Sequence, residues 1–159
     1  MTAATAMGAP EAACEITQLL YRYGECIDQG RLEHAAALFE RARVHTGAAQ
    51  PLDATGLLAL WRRILILYPC GTPRTRHLIT NPIVEVADDG LTASARSCYT
   101  VLQAVDGLAL QIIASGRYLD RFACMDGVWH FIERDYRQMD FVGDMSRHLR
   151  MAVAPASGK

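Results

Sequence analysis

The sequence has almost no lysine, no C-x-x-C pair and no long apolar run, and each absence removes a class of function. Lys159 is the only lysine, and the formal net charge of 159 residues is −1, with acids and bases interleaved. Charges spread this evenly offer no basic stripe to follow a phosphate backbone and no charged block to act as a solvated tail, so no nucleic-acid partner is expected. The longest apolar candidate, LLALWRRILILYP, is broken by Arg62 and Arg63. It falls short of the ~20 residues of a membrane helix, so no membrane partner is expected. The opening MTAATAMGAPEAAC lacks a cationic leader and a continuous apolar stretch, which argues against a secretory signal. The five cysteines (Cys14, Cys26, Cys70, Cys98 and Cys124) are scattered and odd in number. That pattern fits reduced thiols in a cytoplasmic protein rather than a disulfide framework. His34, His45, His130 and His148 show no metal-ligand spacing, and no P-loop, G-x-G-x-x-G or nucleophile-elbow sequence occurs. No metal and no cofactor are therefore expected.

What is present organises the chain clearly. Asp-Gly occurs at Asp89-Gly90, Asp106-Gly107 and Asp126-Gly127, each time between strand-like runs. This dipeptide supplies the positive φ angles of a tight hairpin, so it divides residues 76 to 138 into four antiparallel strands. Pro82 and Gly116 are candidates for bulges that curl the sheet. Upstream the period is helical. One helix is predicted over residues 11 to 28, ended by Gly30; RLEHAAALFE forms a second; ARVHT is a short strand; and Asp53 caps a third over ATGLLALWRRILIL. Near the end, Ser146 in GDMSRH reads as the start of a short helix. The order predicts an α+β fold in which three N-terminal helices pack on a strongly curved antiparallel sheet, a cone-shaped barrel with a pocket in its middle. With 51% apolar residues, the chain reads as a single domain over 1–159, with 1–10 and 152–159 expected to be disordered.

One carboxylate is out of place. In the stretch RYGECIDQG, Asp28 lies beside the apolar face formed by Ile16, Leu19, Leu20, Tyr23 and Ile27. It also sits at the C-terminal end of its helix, where the backbone dipole disfavours negative charge. Read from the residues alone, Asp28 is most simply a turn residue, and a lone strand histidine such as His77 is more often structural than catalytic. Trp61 and Trp129 read as core anchors.

The string ITQLLYRYGECIDQGRLEHAAALF, followed by RHLITNPIVEV, SGRYLDRF, DGVWHFIER and GDMSRHL, resembles SnoaL-like proteins of the nuclear transport factor 2-like superfamily. The resemblance spans about residues 14 to 149. It implies the same α+β cone, and relatives that include scytalone dehydratase, bile-acid 7α-dehydratase, polyketide cyclases, ketosteroid isomerase and dioxygenase β subunits. Asp28 and His77 match the catalytic aspartate and histidine of the dehydratase-like members, and Tyr23 matches a tyrosine five residues before the aspartate. The second acid of the bile-acid dehydratase pattern is replaced by Ser97, Tyr99 or Thr100. The resemblance implies a cofactor-independent lyase or isomerase in which His77 is a general base and Asp28 its orienting partner, acting on a small hydrophobic cyclic molecule. Strand alternation adds Asn81 as a second polar wall, barring a bulge at Pro82. Tyr99 and Arg134 are further substrate-binding candidates, on strands whose inward side the alternation does not fix. The alternatives are a non-catalytic accessory subunit of the dioxygenase β type and an epoxide hydrolase, for which few inward acids are evident. A homodimer or homotrimer is implied. If Asp28 opposes its helix dipole for function's sake, Asp28→Asn should leave stability unchanged or raised while abolishing activity.

Overall fold

Pro10 stands in the first turn of the opening helix, α1 (Ala9–Asp28), where a residue without an N–H costs nothing. The computed structural model describes residues 8–155. The expected disorder therefore falls partly on residues 1–7 and 156–159, outside the described residues, while Ala9 and Pro10 are helical and Val153 packs against the core. α1 buries Ile16, Leu20, Tyr23 and Ile27 along one stripe, and Gly30 (φ 70°) ends it in the left-handed region. A Cβ at Gly30 would lie 2.0 Å from the Gly71 carbonyl oxygen, so close approach as well as conformation requires glycine there.

Two shorter helices follow, α2 (Leu32–Ala37) and α3 (Ala54–Ile64), with the strand β1 (Arg43–His45) between them. Asp53 caps α3 as its position suggests, accepting the Gly56 N–H at 2.8 Å. α3 stops earlier than its apolar period indicates. Leu65 is extended and bridges Leu149, and the Ile66 N–H donates to the His148 carbonyl at 2.9 Å. Pairing with a distant segment thus takes over backbone groups that a longer helix would have used.

The Asp-Gly turns produce the expected meander: β2 (Thr75–Val86), β3 (Thr92–Val105), β4 (Leu108–Met125) and β5 (Val128–Asp135) are successive antiparallel neighbours. At the last turn Asp126 (φ 53°) and Gly127 (φ 80°) are both left-handed, the signature of a two-residue hairpin. β1 joins in parallel on β5, giving the order β1-β5-β4-β3-β2. The helices pack against this curved sheet, which stays open rather than closing into a barrel. Phe39, Val44, Leu57, Phe122 and Phe131 are fully buried in the core, with Trp61 and Trp129 buried as expected.

Three details depart from the sequence pattern. The last strand breaks after Asp135, and a sixth strand, β6 (Met139–Val142), pairs with β4. The crossing occurs at Gly116, where a Cβ would sit 2.2 Å from the Gln138 carbonyl oxygen and 2.9 Å from the Met139 Cα. At Pro82 the bulge is present: the β2–β3 register shifts between Thr80 and Ile83, and Asn81 has φ 50°. Finally, Ser146 does not begin a helix. Its N–H (3.0 Å) and its hydroxyl (2.6 Å) both donate to Asp144, and the turn leads into the Leu149 bridge. Residues 144–150 instead form a strap across the open end of the cone, tied down where the Arg147 carbonyl accepts Gln103 Nε2 at 3.0 Å and the Tyr68 hydroxyl at 2.7 Å.

Candidate functional site

The packing of α1 on β2 decides what Asp28 meets. Gly24 lies one turn before it, and a Cβ there would come within 3.2 Å of the His77 Cβ, so the absent side chain lets the helix approach the strand closely. β2 is the edge strand of the sheet, with backbone donors free on its outer side. Asp28 takes one of them: the His77 N–H donates to Oδ2 at 2.7 Å. Its Oδ1 accepts the Thr75 hydroxyl at 2.8 Å and contacts His77 Nδ1 at 2.6 Å. The two side chains are 10% and 6% exposed. Burial works against the Asp28 charge, but the bonds from His77, its charge and the Thr75 hydroxyl outweigh that, and the carboxyl lies below its usual range. An ionised carboxylate only accepts, so Nδ1 carries a proton, and the tautomer this selects for the neutral ring leaves Nε2 free. These bonds also offset the unfavourable dipole that made Asp28 look misplaced.

His77 lines a cavity of about 140 Å³ inside the cone, walled by Tyr23, Tyr99, Tyr118 and Tyr136 and covered by Met145, His148 and Leu149 of the strap. A wider groove of about 630 Å³ adjoins it, sharing Trp61, Ile64, Tyr136, Met139 and Leu149 as the partition. Tyr99 stacks on Tyr118 at 4.3 Å, and Tyr23 stands edge-on to both Tyr118 (5.8 Å) and His77 (6.2 Å). Burial pushes the phenols of Tyr23, Tyr99, Tyr118 and Tyr136 up, so all remain protonated donors.

Beneath the tyrosines lies a buried ion pair. Asp120 and Arg134 face each other across β4 and β5, with bonds of 2.7 and 2.8 Å from Arg134 Nε and Nη2. Neither side chain is exposed. The guanidinium carbon lies 4.5 Å from the Tyr23 ring and 4.2 Å from the Tyr118 ring, a cation held between aromatic faces. Burial opposes the Arg134 charge, yet the carboxylate of Asp120 keeps the guanidinium firmly protonated, whereas burial pushes Asp120 up against the pull of Arg134.

The structure therefore brings together Asp28, His77, Tyr23 and Tyr99. It does not bring Asn81, which the bulge turns outward into solvent; the shift of parity also exposes Ile83 while Val84 and Val86 face inward. Arg134 points inward but lies behind the tyrosines and does not line the cavity. Tyr118, Tyr136 and His148 escape sequence reasoning. For Tyr118 a signal exists: Tyr118, Asp120 and Phe122 share one parity, an acid between two aromatics on an inward face. No pattern points to Tyr136 or His148, because both follow breaks in regular structure. On the strands one acid faces inward, Asp120, and it is occupied by Arg134; Asp135 shares the outer face with Leu119 and is held by Arg137 at 2.8–2.9 Å.

Residues 10–135 match the family described as the SnoaL-like domain. No curated protein matches the chain in sequence. Among solved structures, the chain is similar to Rv3472 of Mycobacterium tuberculosis, a protein of unknown function solved with one aspartate changed to asparagine. The two share 26% identity over 89% of this chain and 82% of that one, with a TM-score of 0.65. A candidate scytalone dehydratase from Novosphingobium aromaticivorans is similar at 20% identity over 91% of each chain, TM-score 0.67. So is the β subunit of a candidate aromatic-ring-hydroxylating dioxygenase from the same organism, at 23% identity over 92% of this chain and 94% of that one, TM-score 0.62. The last two likenesses speak to fold alone.

Proposed function

The chain belongs to the SnoaL-like domain family, and from that premise we propose that it is a cofactor-independent lyase or isomerase acting on a small hydrophobic cyclic substrate. The observation that carries this reading is the Asp28–His77 pair, 2.6 Å apart and buried at the wall of an aromatic cavity. His77 Nε2 takes a proton beside a carbonyl or leaving group. Asp28 holds the ring in the tautomer that leaves Nε2 free and stabilises the imidazolium that forms. His77 then returns the proton to the leaving oxygen or to another carbon, which gives dehydration, isomerisation or cyclisation. Such acid–base catalysis supplies ~10² to 10⁴-fold. The phenol of Tyr23, with those of Tyr99, Tyr118 and Tyr136 on the same walls, is placed to stabilise a developing oxyanion, each such donor being worth roughly 10²- to 10³-fold.

The test is turnover of a panel of small cyclic β-hydroxyketones, followed by the absorbance of the enone product. His77→Ala and Asp28→Asn should each lose at least about 10³-fold; a substrate turned over equally well by both variants refutes the mechanism. The accessory-subunit reading is supported by the likeness to the dioxygenase β subunit, and a stable stoichiometric complex with an iron–sulfur oxygenase subunit would establish it. The hydrogen-bonded pair beside an aromatic cavity favours chemistry of the chain's own. Epoxide hydrolysis needs a carboxylate free to activate water, and Asp120 and Asp135 are both committed to arginines. We further propose that the chain self-associates through the outer sheet face, where Leu78 (42%) on β2, Ile112 (58%) on β4 and Phe141 (73%) on β6 are exposed.

A further inference from the structure

The cavity contains a second histidine that the chemistry above does not use. His148 comes from the strap, is 5% exposed, and has a buried Nδ1 without a hydrogen-bond partner among the described residues. Its ring is positioned by the backbone rather than by bonds of its own. The His148 N–H donates to the Met145 carbonyl at 2.9 Å, and its carbonyl accepts the Ile66 N–H at 2.9 Å. Both histidines line the cavity, His148 from the strap and His77 from β2. A buried polar atom left unpaired is a cost that a fold carries where something else is meant to fill the place. Burial, with the neighbouring His77 acting the same way and Asp28 opposing, pulls His148 down to about 4. At neutral pH the ring is uncharged and presents one donor and one acceptor.

Size narrows what can lie in the cavity that both residues line. The cavity measures about 140 Å³, and an apolar cavity of roughly 150 Å³ takes a single benzene ring. We infer that His148 is a second substrate contact, and that the substrate is one six-membered ring bearing two oxygen substituents, one met by His77 and the other by His148. This inference rests on the proposed reaction at His77. A fused bicyclic compound exceeds that volume, which places the substrate in the monocyclic class. His148 discriminates by hydrogen bonding: a ring lacking the second oxygen leaves the imidazole without a partner in the cavity.

The experiment is calorimetric titration of the full chain with resorcinol, phenol and toluene, three rings of similar size carrying two, one and no hydroxyls. The wild type should bind them in that order, each hydroxyl contributing roughly 3- to 10-fold. His148→Leu should abolish the resorcinol-over-phenol preference while leaving toluene affinity unchanged, which also shows that the variant keeps its cavity. His148→Gln, which restores a donor and an acceptor, should recover part of the preference. A His148→Leu protein that still prefers resorcinol overturns the role of His148 and leaves the reading of His77 standing. The opposite pattern, preference lost in His148→Leu but intact in His77→Ala, overturns the pairing of one oxygen with His77 and with it the proposed reaction, while His148 remains a contact. If none of the three rings binds the wild type, the cavity is not a ligand site and the inference falls.

Discussion

Asp28→Asn exchanges one carboxylate oxygen for an amide nitrogen, and the three bonds at Asp28 determine the result. The backbone N–H of His77 can only donate, so the oxygen of the new amide must keep that bond. Its NH₂ group then occupies the place of Oδ1, facing Thr75 Oγ1 and His77 Nδ1. The hydroxyl can rotate to accept, but Nδ1 can accept only if the imidazole proton moves to Nε2. Charge-assisted bonds are replaced by neutral ones, a loss of about 1–2 kcal/mol. Removing negative charge from the end of α1 returns about 0.3–1 kcal/mol. The net effect is a destabilisation of about 1 kcal/mol, not the unchanged or raised stability that the helix dipole alone suggests. Activity falls far more, because Nε2 now carries a proton and cannot act as a base; the equivalent change in a serine-protease triad costs about 10⁴-fold. Urea denaturation measures the first effect, and ¹⁵N chemical shifts of the imidazole nitrogens report the tautomer directly. An Asp28→Asn protein whose Nε2 stays unprotonated, or one destabilised by more than about 3 kcal/mol, refutes this reasoning and marks Asp28 as a structural residue. The acid limb of stability should change as well. Because the folded carboxyl lies below its ordinary value, the wild type carries a stabilisation that is present above about pH 4 and lost as pH falls further, and the Asp28→Asn variant should lack it.

His148 makes its own pH signature: its folded value of about 4 lies below the 6.5 of the free ring, so the unfolded chain takes up a proton first. Stability should fall by roughly 3 kcal/mol between about pH 6.5 and pH 4, and His148→Leu should flatten that window in denaturation profiles. Gly24→Ala should gain up to about 1 kcal/mol of helix propensity, yet lose activity, because the new methyl pushes α1 away from His77; equal activity in kinetic assay would show that the spacing is not critical. Arg134→Met leaves Asp120 buried without a counter-charge and should cost about 3–5 kcal/mol in chemical denaturation, most of it recovered by adding Asp120→Leu. Ile112→Glu with Phe141→Glu should convert any homo-oligomer to monomer in sedimentation, with the fold intact by circular dichroism.

Local chemistry explains why so much of the architecture was readable. Asp-Gly forces a turn wherever it stands between strands, and a capping aspartate or a C-terminal glycine acts on residues within one helical turn of itself. The strands and helices that these residues delimit were therefore legible, as was the bulge at Pro82. Failures cluster where a distant segment supplies the deciding partner. Leu65 left its helix for Leu149, and β6 formed because Gly116 admits a crossing strand. Asn81 is the local exception, turned outward because the bulge beside it reversed the parity of β2.

The same division runs through the site. Residue order alone, through its resemblance to SnoaL-like proteins, singled out Asp28, His77 and Tyr23, and the helix periodicity placed Tyr23 on the buried stripe. Whether a carboxylate at the end of a helix is a turn residue or half of a hydrogen-bonded pair depends on an edge strand much later in the chain, and only packing brings the two within 2.6 Å. The cavity is decided in the same way. Its volume is what remains after the helices, the sheet and the strap have closed, and His148 reaches it only because backbone bonds to Ile66 and Met145 carry the strap there. Turns and caps are short-range and can be written into a sequence; a void and the groups that face each other across it exist only when the long-range contacts are made.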